Sequence, residues 1–216
     1  MINLITPINN LGYGVAGYNI FKALYGINPS VTLYPISKPE FIDEFISHGI
    51  KNQEERTWDW TTYPSVKIWH QHDLHSHIGK KLHIGFPIFE LTEFSKEEKR
   101  SMEHCDRIFV CSQWAKDIVV DQTKFTPKDV HVVPLGVDLD LFQPETPQRP
   151  QTVFFNCGKW EKRKGHDILL ECFNRAFTWS DNVELWMMCD NPFIGEQNVS
   201  WMKLYKNSPL GEKIRI

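Results

Sequence analysis

Four cations crowd one short stretch of this chain: Lys159, Lys162, Arg163 and Lys164, bracketed by Gly158 and Gly165. An apolar run, Thr152–Cys157, precedes them and an amphipathic run from Asp167 to Phe177 follows. That spacing predicts a strand, a glycine-bearing turn and a helix start. Such a turn presents backbone N–H groups and the positive end of the helix dipole, so lysines there favour phosphate. The competing reading is a solvated helix start that carries charge for solubility alone.

Two further groups of residues invite chemistry. Gly12-Tyr13-Gly14-Val15-Ala16-Gly17 has the form G-x-G-x-x-G between the first predicted strand and the first predicted helix, where a nucleotide fingerprint would sit. A dinucleotide site also needs an acid at the end of the second strand for the ribose, and this chain has Tyr34-Pro35-Ile36-Ser37-Lys38-Pro39 there. The oxidoreductase alternative therefore lacks its acid. Gly17 reads as a close-packing glycine, and all three glycines could simply tighten a turn. The second group is His70, His72, His75, His77 and His83, five of the nine histidines. His70-Gln71-His72 is expected to alternate on a strand, which would face both rings one way. A metallohydrolase pattern H-x-H-x-D-H would need an acid at position 74, but Asp73, Leu74 and His75 are out of register. No metal is expected. Trp58, Trp60, Trp69 and Tyr63 would stack on a sugar or base, or fill a core. Glu90, just past an apolar run, would line a ligand site or cap a turn.

Val133-Pro134-Leu135-Gly136-Val137-Asp138 with Phe142 and Pro144, then Gly158-Lys159 and Lys164-Gly165, resembles the paired motif of family 4 glycosyltransferases of the GT-B fold. The usual form is V-P-N-G-V-D-x-x-x-F-x-P followed by G-R-x-x-x-x-K-G; here Leu135 replaces the Asn and Lys159 the Arg. The resemblance implies a retaining, metal-independent transfer of a sugar, hexosyl in type, from a nucleotide diphosphate sugar to an unknown acceptor: glycan, lipid or protein. It implies no cofactor beyond the donor substrate. Lys159 and Lys164 would stabilise the leaving diphosphate, and Gly12 and Gly14 would approach the diphosphate or the acceptor. His70 and His72 match the sugar-site histidine after the third strand. The next strand carries Pro87 near the position of the family's second histidine, which leaves Glu90 as the candidate polar group. The family's E-x7-E element is not found up to Ile216, so this chain is expected to be inactive alone.

These residues need a scaffold. Short apolar runs alternate with amphipathic stretches, which predicts an α/β fold: a Rossmann-like parallel sheet flanked by helices. Strands are expected near Ile2–Thr6, Val31–Pro35, Val66–His70, Leu82–Phe86, Arg107–Cys111 and Val130–Val133, with helices near Val15–Tyr25, Glu40–Ser47, Ser95–Cys105 and Gln113–Gln122. Ser95 with Glu98 predicts a capping box, and Ser112 an N-cap. The prolines Pro144, Pro147 and Pro150 mark a linker, dividing an N-terminal acceptor-side domain (residues 1–145) from the start of a donor-side domain (146–216). The latter is expected to contain one βαβ unit, Thr152–Cys157, Asp167–Phe177 and Val183–Cys189, with the beginning of another strand at Gly211–Ile216. So small a sheet is expected to be incomplete and to leave Leu169, Leu170, Phe173, Leu185, Trp186 and Met187 open to association.

With 216 residues, 41% hydrophobic and 24% charged, the composition is that of a globular protein with a sizeable core. A net charge of −3 and no basic patch outside residues 159–164 exclude a general nucleic-acid surface. No run reaches membrane-span length, and Met1–Pro7 lacks the form of a signal peptide. Five cysteines without a C-x-x-C pair read as reduced core thiols. The expected compartment is the cytoplasm. A non-catalytic binding or assembly module of the same fold is the alternative from a different class.

Overall fold

The computed structural model describes residues 1–55, 62–144 and 149–216. The chain divides into two compact units, Met1–Leu139 and Asp140–Ile216. Trp58, Trp60 and the division expected after residue 145 lie outside the described residues.

In the first unit β1 (Asn3–Thr6), β2 (Thr32–Pro35), β3 (Ser65–Lys67), β4 (His83–Gly85), β5 (Arg107–Val110) and β6 (Val130–Val132) form an all-parallel sheet in the order β2-β1-β3-β4-β5-β6. Every residue of β1 is buried, as a central parallel strand requires when helices cover its sheet. The helices are α1 (Gly12–Ile27), α2 (Glu44–Glu55), α3 (Lys96–Met102) and α4 (Gln113–Gln122). Phe21 of α1 and Ile46 of α2 pack with Leu4, Leu33 and Ile68, while Met102, Ala115 and Val119 pack with Ile108, Val110 and Val130.

Local signals set the helix starts. Ser95 and Glu98 make the full capping box, and the Ser112 hydroxyl accepts from the Ala115 N–H at 3.2 Å. Helix α2 begins at Glu44 rather than at Glu40, because the Asp43 carboxylate accepts from the Ile46 N–H at 2.9 Å and caps it there. From β1 the chain steps to β2 on one side, and from β3 onward it steps to the other. The gap outside the carboxyl ends of β1 and β3 is thus a topological switch point, where α/β sheets bind ligands.

The second unit has β7 (Thr152–Gly158), β8 (Val183–Cys189) and β9 (Ile214–Arg215) in a parallel sheet of order β7-β8-β9, with α5 (His166–Ala176) and α6 (Gln197–Lys206). Its core joins Trp160, Leu170, Phe173, Leu185, Met187, Tyr205, Leu210 and Ile214. This corrects the expectation that Leu170, Phe173, Leu185 and Met187 are exposed. Helix α6, which the sequence reading missed, brings Tyr205 into that core, and Leu210 follows it. Exposed apolar side chains stand on the opposite face of the sheet. Phe155 pairs with Trp186 and Cys157 with Met188, and Phe155 and Met188 are 62% and 69% exposed.

Candidate functional site

At the switch point of the first unit, the loop after β1 turns at Asn9, whose Oδ1 accepts from the Leu11 N–H at 3.0 Å, and α1 starts at Gly12. The three glycines differ in what they permit. A Cβ at Gly17 would fall 1.8 Å from Thr6 Oγ1, so α1 can lie against β1 only through a glycine. A Cβ at Gly14 would fall 2.2 Å from Asn9 Oδ1, which supplies a packing reason for that residue. At Gly12 a Cβ meets nothing within 4 Å.

Tyr13, between those glycines, organises the edge. Its hydroxyl donates to the Ile88 carbonyl at 2.6 Å and accepts the Ile88 N–H at 3.0 Å, tying the loop after β4 to the glycine loop. Burial pushes the phenol up to about 12, with further contributions from Cys111 and Glu90. The Tyr13 ring lies 4.5 Å from the His70 ring and 5.4 Å from Trp69.

His70 and His72 do face one another, with rings stacked at 5.2 Å and 17°. The cause is not strand alternation: β3 ends at Lys67, and His70 caps a short 3-10 turn, Gln71–Asp73. That turn is pinned to α3 by Gln71, which donates to Glu98 at 2.8 Å, and by the Ser101 hydroxyl, which accepts from the Leu74 N–H at 2.7 Å. His70 is half-buried and His72 exposed. Burial, and then the neighbouring His72, lower the pKa of His70, keeping it neutral at pH 7. Glu90 is exposed on the loop that Tyr13 holds.

The remaining histidines are dispersed. His77 and His83 stack at 4.7 Å, and His75 meets His104 edge to face at 6.3 Å. The His77 Nδ1 contacts the Ser65 hydroxyl at 2.8 Å and its Nε2 contacts the Cys105 thiol at 3.4 Å. Among the described residues no group of three or more His, Cys, Asp or Glu side chains is placed to hold a metal ion.

In the second unit the cationic turn follows β7 directly. Gly158 (φ 156°) and Gly165 (φ 72°) bracket it, and Lys162–Lys164 form a 3-10 turn leading into α5. Trp160 anchors the turn: it is 1% exposed, parallel to Trp201 at 5.7 Å and 5°, and its carbonyl accepts from Asn191 at 3.0 Å. His166, fully buried, is a second anchor. Its Nδ1 accepts the Glu161 N–H at 3.1 Å, which leaves Nε2–H to donate to Asn156 Oδ1 at 3.1 Å. Burial lowers the pKa of His166. Lys159 lies 3.3 Å from Glu161 and 5.1 Å from the Phe193 ring centroid. Desolvation works against the Glu161 carboxylate, but Lys159 and Arg163 outweigh it and hold the group below its ordinary range. Lys164 is exposed, immediately before Gly165.

The structure thus places Gly12, Gly14, His70, His72 and Glu90 at the carboxyl edge of one sheet, and Lys159 and Lys164 on the turn at the carboxyl end of β7 in the other unit. The sequence reading missed Tyr13, Asn156, His166 and Asn191. Tyr13 stands inside the quoted glycine motif and His166 directly after Lys164-Gly165, so proximity to a motif was the available signal. Asn191 offered none.

Residues 60–141 match the model of Glycosyltransferase Family 4. No curated protein matches the chain in sequence. Among solved structures, the lipopolysaccharide outer core galactosyltransferase WaaB in its apo form is similar, with a TM-score of 0.61 at 11% identity over 99% of this chain and 66% of that one. The present chain therefore spans just under two thirds of the length of that galactosyltransferase. No helix among the described residues is long and apolar enough to cross a membrane. Residues 60–141 are thus similar to Glycosyltransferase Family 4, and the chain shares the fold of that galactosyltransferase.

Proposed function

We propose that this chain takes part in transfer of a hexosyl group from a nucleotide diphosphate sugar to an acceptor, with retention of configuration. The observation that carries the reading is the cationic turn of the second unit, where Lys159 precedes and Lys164 ends a 3-10 turn ahead of the eleven-residue α5. A diphosphate beside the N-terminus of α5 would meet the helix dipole and both ammonium groups, and the charge that grows on it as the glycosidic bond breaks would be stabilised there. The anchors Trp160 and His166 fix the turn in advance, so little reorganisation accompanies that charge development.

In the first unit, neutral His70 offers a ring nitrogen to a sugar hydroxyl, and Gly12 leaves open space beside the start of α1. Glu90 is the acid nearest in sequence to the Tyr13-held loop position and is assigned to orient the acceptor hydroxyl. No cofactor is required beyond the donor, and the acceptor is a glycan, lipid or protein. Calorimetry with UDP and GDP tests the donor half: Lys164→Ala should weaken binding by about 1–3 kcal/mol, roughly five- to 150-fold. Unchanged affinity for both nucleotides would remove the phosphate assignment.

A further inference from the structure

The loop after β4 and the start of α4 together carry a group of partly exposed apolar side chains. Phe89 and Leu91 lie on the loop, and Trp114 lies in the first turn of α4, just past the end of β5. Because β4 and β5 are neighbours, all three arrive at the same carboxyl edge. Trp114 and Leu91 are 45% and 43% exposed, a high value for an indole. The Phe89 and Trp114 rings are 5.8 Å apart at 43°, which makes a broad, open angle rather than a closed stack.

The platform is built rigid. Phe89 rests edge-on against buried Phe94 at 4.9 Å. The Gln122 side chain accepts from the Phe94 N–H at 2.9 Å and donates to the Thr92 carbonyl, locking the far end of the loop to α4. Tyr13 locks its near end at Ile88. Phe89, Glu90 and Leu91 are therefore held on both sides, and exposed aromatic surface is presented without an ordering cost on binding.

We infer that Trp114, Phe89 and Leu91 form a stacking platform for a neutral pyranose ring of the acceptor, an inference that rests on the glycosyltransferase reading. The surrounding charge selects this occupant. Glu90, Glu93 and Asp117 are exposed around the rings, and the nearby Lys116 ammonium is directed to the Pro127 carbonyl at 2.8 Å. An acidic rim disfavours a phosphate or nucleic acid, whereas carboxylates accept hydrogen bonds from hydroxyls while the apolar C–H face of a sugar lies on the indole. Three apolar side chains match the area of one ring and fall short of an acyl chain.

The Trp114 indole N–H, assigned by its disappearance from the NMR spectrum of Trp114→Phe, reports on the platform directly. Methyl glucoside, methyl galactoside and N-acetylglucosamine are titrated into the full chain, with tetramethylammonium as the cationic comparison. At least one sugar should move the Trp114 signal saturably, and Leu91→Ala, which keeps the indole, should weaken that sugar by about threefold or more. No movement with any of the sugars, or movement with tetramethylammonium alone, overturns the inference. The Lys164→Ala variant separates the two proposals: a sugar response that persists there while UDP and GDP bind as tightly as to the wild type leaves the platform standing and the donor assignment fallen.

Discussion

The half-buried imidazole of His77 makes the stability of the first unit depend on pH. His77 is wedged between Ser65 and Cys105 and stacked on His83, and its pKa is lowered to about 3, first by burial and then by the positive charge His83 and Lys67 place near it. The unfolded chain protonates this residue near 6.5, whereas the folded chain resists until about 3. In that window the unfolded state holds more protons, so stability rises with pH and is lost as pH falls. Between pH 7 and about pH 5 the loss from this one group is about 2 kcal/mol, taking 1.36 kcal/mol per pH unit below 6.5. Urea unfolding at the two pH values, compared between the wild type and His77→Gln, isolates it. Gln does not titrate and can still meet Ser65, so the pH-dependent difference should shrink by about 2 kcal/mol in the variant. His70 and His166 titrate alike in both proteins and cancel. An unchanged pH difference in His77→Gln would refute the reasoning.

Gly17→Ala should destabilise the first unit by about 1–3 kcal/mol through its collision with Thr6, whereas Gly12→Ala, facing open space, should be neutral or slightly stabilising; thermal melts of both variants check the contrast. Tyr13→Phe removes two hydrogen bonds to Ile88 and should speed hydrogen exchange of that amide while costing about 1–3 kcal/mol. Amides of β7, an edge strand with Phe155 exposed on one face, should exchange faster than those of the fully buried β1; equal protection would contradict the one-sided burial of the second sheet.

Periodicity carried the scaffold well, because β strands with continuous apolar runs and helices with serine caps write their physics locally. The limits of β7, β8 and α4 could be read almost to the residue. Helix α6 escaped because the stretch before it, Pro192 to Gly195, looks like a loop, and only Trp201 and Tyr205, four apart, announce a buried face. The site was half legible. Glycines and cations stand in recognisable order along the chain, but the contacts that organise them span 75 residues for Tyr13 with Ile88 and 31 for Trp160 with Asn191. No local pattern encodes a partner at that separation. The histidine cluster shows the converse: close in sequence, its members point to different partners because a short 3-10 turn, not a strand, follows His70.

The proposed binding groups of the first unit sit on connections and first helical turns at one edge of the sheet, while the strands beneath them contribute interchangeable apolar bulk such as Leu4, Leu33, Val66 and Ile108. Scaffold and chemistry are therefore written in nearly separate sets of residues. A lineage can drift through almost all of its core, Leu for Val for Ile, without moving the edge. It can equally exchange a loop, and with it an acceptor, without disturbing the sheet. A fold shared at 11% identity is what such a division permits.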